Sequence, residues 1–330
     1  MTPIAAKQER TPVAESLWLD VTRKCQLNCG HCYNSSGPDG SHGVMTRNDW
    51  FSVLEQSREI GVSSVTLIGG EPTLYPHAIE VAERALALGM DVEVYSNLVH
   101  VSKQWWSLLQ REGMSVATSY YSNKPERHNQ VTRRPSHART RSNIAKTISL
   151  GIPVRVGVVG DKRRHIWTAK RDLRKMGVEE IGVDRIREFG RACGGQDPDA
   201  SNLCGMCGDG RASIGPNGEV SPCVFSTWMG VGNVLDASLA SILSGPAPSW
   251  AVASIEGARR GKDKAKACRP DCVPQNPCPP AASVRTSPQL STARRAASSP
   301  RPCSTFPEDG RTPSSGNRRS IRSCSLSLRR

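Results

Sequence analysis

Residues 21–34 read VTRKCQLNCGHCYN, and the reading of this stretch decides the fold. It sets Cys25, Cys29 and Cys32 in a C-x3-C-x2-C array, directly after a short run, 15–21, with strand character. Three thiolates within eight residues, with no fourth nearby, can hold a four-iron cluster by three corners. The last iron is then left open, whereas such cubanes normally take four thiolates. An open iron is a coordination site for a substrate or cofactor. The same spacing has other readings. A structural zinc site would want a fourth ligand in a paired knuckle, and no partner pair follows before Cys193. A disulfide framework would need an oxidising compartment. Chance clustering is the third.

A second motif follows one strand later: GGEP, formed by Gly69, Gly70, Glu71 and Pro72 at the end of the apolar run 64–68. Two glycines there let backbone approach a ligand closely, because no Cβ stands in the way. Alone, the motif is an ordinary strand-ending turn. Together, the cysteine array and GGEP resemble the radical S-adenosylmethionine (SAM) enzymes. The resemblance implies that the open iron takes the amino and carboxylate groups of SAM. An electron from the cluster then splits the sulfonium and releases a 5′-deoxyadenosyl radical. It further implies that the GGEP turn binds the SAM amino group through backbone oxygens and Glu71.

Outward from these motifs the pattern alternates. Strands are expected at 15–21, 64–68, 91–96, 116–121, 154–159 and 181–186. Helical spacing covers 49–60, 79–88, 103–111, 139–150 and 166–176, the first opened by Thr46 and Asp49 in a capping-box-like pair. Connections long enough for crossovers predict a parallel α/β sheet. The expected fold is the family's (β/α)6 partial barrel, with ligands at the carboxyl ends of the strands.

The resemblance also assigns SAM contacts by position. His31, before the third cysteine, falls where an aromatic residue lies against the adenine. Ser96 and Asn97 end the third strand, and Ser119 and Ser122 lie at the end of the fourth, where the ribose is read. Val158, Val159 and Gly160 end the fifth and could pack on adenine. Arg139 and Arg141 are candidates for the SAM carboxylate, against the plainer reading of a solvated basic helix face.

A second cysteine territory begins after Gly190. Cys204, Cys207 and Cys223 flank an expected hairpin of 212–214 and 219–224 around a Pro-Asn-Gly turn, and Cys268, Cys272 and Cys278 follow. A hairpin brings its flanking cysteines together, as a metal site needs. This layout resembles the SPASM extension of radical SAM enzymes, which carries auxiliary iron–sulfur clusters and belongs to peptide- and protein-modifying members. The match departs from the pattern in its C-x3-C spacing at Cys268 and Cys272 and in lacking a cysteine soon after Cys278. Each auxiliary site thus has three clear ligands. Zinc remains the alternative for these six. Cys193 reads as a thiol outside the ligand sets.

The chain has 330 residues, enough for one sizeable core and an extension, and a formal net charge of +14. Residues 283–330 hold ten arginines against Glu308 and Asp309, a net of +8 that leaves +6 for the rest. This Ser-, Arg- and Pro-rich tail is expected to be disordered. It lacks the aromatic interleaving of single-strand binders, so no specific nucleic-acid partner is expected. Its abrupt onset inside a cysteine block suggests an aberrant or frameshifted end. No signal peptide and no membrane span are read, and twelve cysteines then imply metal-binding thiolates in a reducing cytoplasm.

The expected organisation is a disordered N-terminus (1–14), a radical SAM core (15–190), a Cys-rich extension (191–282) and the tail (283–330). The expected function is SAM cleavage and hydrogen abstraction from a ribosomal peptide or protein, with an electron donor and a separate peptide-recognition protein as partners. Alternatives are oxidation or epimerisation of a small molecule, a sulfatase-type maturase, and a non-catalytic iron–sulfur or zinc protein. Val224 stands where a sulfatase-type maturase carries an acid. No catalytic side chain is assigned.

Overall fold

The strands are short and alternate, with one apolar face for the helices to cover and an opposite face that carries Thr66, Glu93, Tyr95 and Arg155. The computed structural model describes residues 14–259. β1 (Ser16–Asp20) buries every residue but its first. Leu17 and Leu19 enter the main core, while Trp18 faces the other side and packs with Ile68. In chain order there follow α1 (Arg47–Glu59), β2 (Ser64–Ile68), α2 (Ala78–Ala87), β3 (Asp91–Tyr95), α3 (Lys103–Leu109) and β4 (Met114–Tyr120). Then come α4 (Pro125–Thr132), α5 (His137–Ser149), β5 (Val154–Val159), α6 (Arg163–Lys175) and β6 (Glu180–Asp184). The extension adds β7 (Arg211–Ile214), β8 (Glu219–Ser221), β9 (Gly232–Asn233), α7 (Leu239–Ser244) and α8 (Pro246–Arg259).

The sheet order is β6-β5-β4-β3-β2-β1-β7-β8-β9. β1 to β6 are parallel and strictly sequential, with Leu19 level with Leu67 and Val94 level with Val116. Successive crossovers of one hand then place the helices on one side, and the sheet curls as a barrel wall. This is the partial barrel expected from the alternation. β7 adds to the free edge of β1 in parallel, and β8 and β9 continue antiparallel.

Trp50, Val53 and Leu54 of α1, Val81 and Ala85 of α2, Ile144 of α5 and Leu173 of α6 pack against Leu67, Val92, Val116 and Val156 of the sheet. The α1 start is a true capping box: Thr46 Oγ1 accepts from the Asp49 N–H at 3.3 Å, and Asp49 Oδ2 accepts from the Thr46 N–H at 2.8 Å. Inside the sheet, Arg155 of β5 reaches across β4 to Glu93 of β3 with two bonds of 2.6 Å, both partners largely buried.

Several elements were not legible in advance. α4 has only His128 and Thr132 buried, so no apolar stripe marks it; it is started by Pro125 and by Ser122 Oγ, which accepts from the Lys124 N–H. α5 begins at His137 and not Arg139. β6 spans Glu180–Asp184, stopping before Ile186. α7 and α8 are rich in Ala and Ser, with few large apolar residues to declare a face. Among the described residues no helix is long and apolar enough to cross a membrane. The expected tail at 283–330 and Cys268, Cys272 and Cys278 lie outside the described residues.

Candidate active site

The cysteine loop leaves β1 at its carboxyl end and is held by backbone bonds from several directions. The Cys25 N–H donates to the Gly37 carbonyl at 2.9 Å, and the Asn28 and Gly30 N–H groups donate to Thr132 and Val131 at the end of α4. The Leu27 N–H points at Cys25 Sγ, 3.4 Å away. Asn34 Oδ1 gathers the Cys32 thiol, the Ser36 N–H and the Ser36 hydroxyl.

GGEP docks onto this loop. The Gly70 N–H donates to the Thr22 carbonyl at 2.7 Å and the Glu71 N–H to the Lys24 carbonyl at 2.9 Å. A Cβ at Gly70 would stand 2.4 Å from the Lys24 carbonyl oxygen. Close approach is thus needed here as expected, but the backbone approached belongs to the cysteine loop.

A cavity of about 150 Å³ opens at the strand ends. Of the residues singled out in the sequence, Cys25, Cys29, His31, Cys32, Gly69, Gly70, Ser96, Asn97, Ser119 and Val159 all line it. Other expected contacts lie elsewhere. Glu71 is fully buried off the cavity: Oε1 accepts from the Thr73 N–H and hydroxyl and from the Ser96 hydroxyl, and Oε2 from the Asn97 N–H at 2.8 Å. Ser122 is buried beneath the start of α4. Arg141 is bidentate on Asp172 of α6, and Arg139 is exposed on α5.

Sequence reasoning missed an aromatic and histidine wall made of Tyr33, Tyr95, Tyr121, His128 and Phe225, and three arginines, Arg185, Arg187 and Arg191. His31 sits edge-on to Tyr121 with ring centroids 5.0 Å apart. Burial, with Arg191 nearby, pushes the His31 ring down to about 4, so it is neutral near pH 7. His128 is buried against Tyr120, Tyr121 and His137, and its Nδ1 has no hydrogen-bond partner among the described residues.

Burial, reinforced by the charge of Glu71, pushes the Cys25 thiol up to about 12, and burial beside Cys32 does the same for Cys29. Cys32 is raised as well, again by burial. Thiols so placed stay protonated at neutral pH until a metal takes the place of their protons. Among the described residues no three His, Cys, Asp or Glu side chains are set to hold one metal ion. A cluster asks for something else, one thiolate on each of three irons, and three thiols around one cavity fit that donor set.

The second cysteine group packs on the sheet face turned away from the main helical core, the face that also gives Ile68 and Tyr95 to the cavity. Cys207 and Cys223 are buried among Trp18, Ile68, Leu203 and Ile255, with Cys204 beside them. Their sulfurs are 3.4 Å apart, too far for a disulfide, and none joins the seven described cysteines. The Cys207 thiol is held up by its bonds to Cys204 and Cys223, and Cys223 is pulled down by its bond to Cys207. The Cys223 N–H donates to Ser226 Oγ, and Tyr33 meets Phe225 edge-on at 4.8 Å, linking the two cysteine regions. Cys193 stays outside both, its thiol donating to the Gly190 carbonyl.

The family model described as the Radical SAM superfamily matches residues 19–173, and that of the SPASM iron–sulfur cluster-binding domain matches 204–273. The chain belongs to the radical SAM enzymes. Its cofactors are a four-iron cluster and SAM, with auxiliary iron–sulfur clusters in the SPASM extension. It is similar to a probable GTP 3′,8-cyclase of Methanothermobacter thermautotrophicus (26% identity; 49% of this chain, 55% of that one). It also resembles the PqqA peptide cyclase of Bradyrhizobium diazoefficiens (29%; 43% and 38%). A third relative is the subtilosin biosynthesis protein AlbA of Bacillus subtilis (26%; 69% and 59%). The chain thus spans about half, or less, of the first of these relatives. Among solved structures, Streptococcus suis SuiB bound to S-adenosylmethionine shares the fold at a TM-score of 0.60 and 16% identity, covering 72% of this chain and 67% of that one. The structure of anSMEcpe with bound AdoMet gives 0.59 and 15%, covering 73% and 83%.

Proposed function

We propose that this chain cleaves SAM reductively and takes a hydrogen atom from a side chain of a ribosomally made peptide. The observation that carries the reading is the meeting of Cys25, Cys29 and Cys32 with Gly69, Gly70 and the strand ends on one cavity. The bound cluster and SAM supply an electron and an adenosyl radical, chemistry beyond any side-chain acid or base. The chain's own residues hold and shield. Asn97 pairs its amide with that of Gln26 and points Nδ2 at Cys25 Sγ, 3.7 Å away, which keeps the third strand end against the first thiol. Neutral His31 and Tyr121 offer an uncharged wall to an adenine, with Ser96, Ser119 and Val159 nearby. Tyr33, Tyr95 and Phe225 line the cavity with apolar surface that keeps water from a reactive carbon radical.

In this reading Cys204, Cys207 and Cys223, and then Cys268, Cys272 and Cys278, serve the auxiliary clusters, so residues 15–190 and 191–282 divide the catalytic from the auxiliary part. A peptide substrate is supported by the relatives named as acting on PqqA and in subtilosin biosynthesis. A separate protein presenting that peptide, an electron donor and a reducing cytoplasm complete the proposal. Replacing Cys25, Cys29 and Cys32 together by Ala is expected to remove one four-iron cluster and all SAM cleavage, while the cysteines from Cys204 onward keep their metal. Anaerobic reconstitution, iron counting and detection of 5′-deoxyadenosine check this. SAM cleavage that survives the triple change would sink the assignment.

A further inference from the structure

The residue that ties the cysteine loop together is not in the loop. Arg191 lies just past β6, in the short 3-10 turn Gly190–Cys193. Its guanidinium donates to three carbonyls of the loop: Nε to Cys29 at 2.8 Å, Nη1 to Ser35 at 2.8 Å and Nη2 to Ser36 at 2.6 Å. Its own N–H donates to the Cys32 carbonyl at 2.9 Å. One residue thus bonds the second and third cysteines and the chain that returns from them. The planar fork suits this, because its donors diverge at fixed angles that an ammonium cannot reproduce.

The approach is tight. Gly190 has φ +55°, and a Cβ there would stand 2.4 Å from both the Cys32 and the Tyr33 carbonyl oxygens. Only glycine lets the segment press so close. Phe189, 1% exposed, and the buried ion pair of Arg187 with Asp184 fix the segment from behind. None of the ion pairs among the described residues involves Arg191, and its guanidinium is spent on loop carbonyls.

We propose that Arg191 is a positioning residue for the catalytic cluster. It closes the three-cysteine loop around the iron and holds a positive charge against it. The segment leading into the second cysteine group thereby sets both the retention and the reduction potential of the first cluster. The proposal rests on the radical SAM reading of Cys25, Cys29 and Cys32. A fixed cation favours the more negative, reduced form of a nearby cluster, so losing it lowers the potential.

The test uses the full chain, reconstituted anaerobically, in three forms: parent, Arg191→Gln and Arg191→Lys. Iron release to a chelator reports retention. An EPR-monitored redox titration of the cluster signal that responds to SAM reports potential. Arg191→Gln is expected to release iron roughly tenfold faster or more, through loss of charge-assisted bonds, and to titrate at lower potential. Arg191→Lys keeps the charge but cannot span three carbonyls. It should hold a potential near the parent's while still releasing iron faster. A purely structural role would leave the potentials of Gln and Lys alike, and that result overturns the electrostatic half. Unchanged iron release and potential in Arg191→Gln, with a parent that cleaves SAM, overturns the proposal while leaving the radical SAM reading intact. A parent that binds no iron at the three cysteines overturns both.

Discussion

Glu71 carries more of the site than a cofactor contact would. Its buried carboxylate takes four donors from Thr73, Ser96 and Asn97, and it joins the GGEP turn to the end of β3. Glu71→Gln keeps the shape but replaces one acceptor by a donor facing these same groups. It is expected to cost about 1–3 kcal/mol of unfolding free energy, measured by denaturant titration. Parent-like stability would mean that these bonds do not hold the turn. His128 makes the case for pH. Burial, with His137 beside it, lowers this ring from 6.5 to about 3. Between those values the unfolded chain binds the proton and the folded chain does not, so stability is lost as pH falls below about 6.5. The slope from this one group is at most about 1.4 kcal/mol per pH unit. His128→Phe keeps a ring against Tyr120 and Tyr121 and should flatten the fall in stability between pH 6.5 and 5. An unchanged slope would place the lost proton elsewhere.

At the scale of elements, the inward faces of β3 and β5 are joined by Glu93 and Arg155 across β4. Arg155 also lies over the Tyr95 ring, 5.5 Å from its centroid. Arg155→Met leaves a buried carboxylate without its partner and is expected to destabilise by about 3–5 kcal/mol. The double change with Glu93→Leu should recover most of that loss, because two apolar groups leave no orphaned charge. A double variant as unstable as the single one would mean that packing, not charge, holds these strands. β1 to β6 and five of the helices were legible because each has an apolar pattern that burial enforces, and β7 and β8 because a Pro-Asn-Gly turn declares the hairpin; β9, only Gly232 and Asn233, was not. α4 was not, since its role is to present backbone carbonyls of Val131 and Thr132 to the cysteine loop, and carbonyls leave no mark in sequence. Spacing made Cys25, Cys29 and Cys32 readable. Arg191 was not, because 162 positions separate it from the Cys29 carbonyl that it binds. The aromatic wall was hidden likewise, assembled from the first, third and fourth strand ends and the hairpin.

For the molecule as a whole, the pairing of β7 with β1 makes one sheet of the core and the second cysteine region. Ser16 to Leu19 run level with Arg211 to Ile214, and the same β1 buries Trp18 against Cys207, Cys223 and Met229. Residues 14–259 are therefore expected to unfold in a single cooperative transition. Far-ultraviolet dichroism should coincide with a probe placed on the β7–β8 hairpin. An earlier melt of the hairpin would show that the junction is weaker than its hydrogen bonds imply.

The sheet also has two ends to protect. Without the hairpin, β1 would offer a bare row of N–H and C=O groups to any passing strand, from another copy or another protein. The added strands move that boundary outward to β9, which is two residues long, Gly232 and Asn233. So short an edge gives an incoming chain almost nothing to pair with, one of the recognised ways in which sheets avoid self-association. Among the described residues, the second cysteine region therefore also covers a sheet edge. A variant that loses the hairpin would be expected to aggregate before its cofactors could be examined.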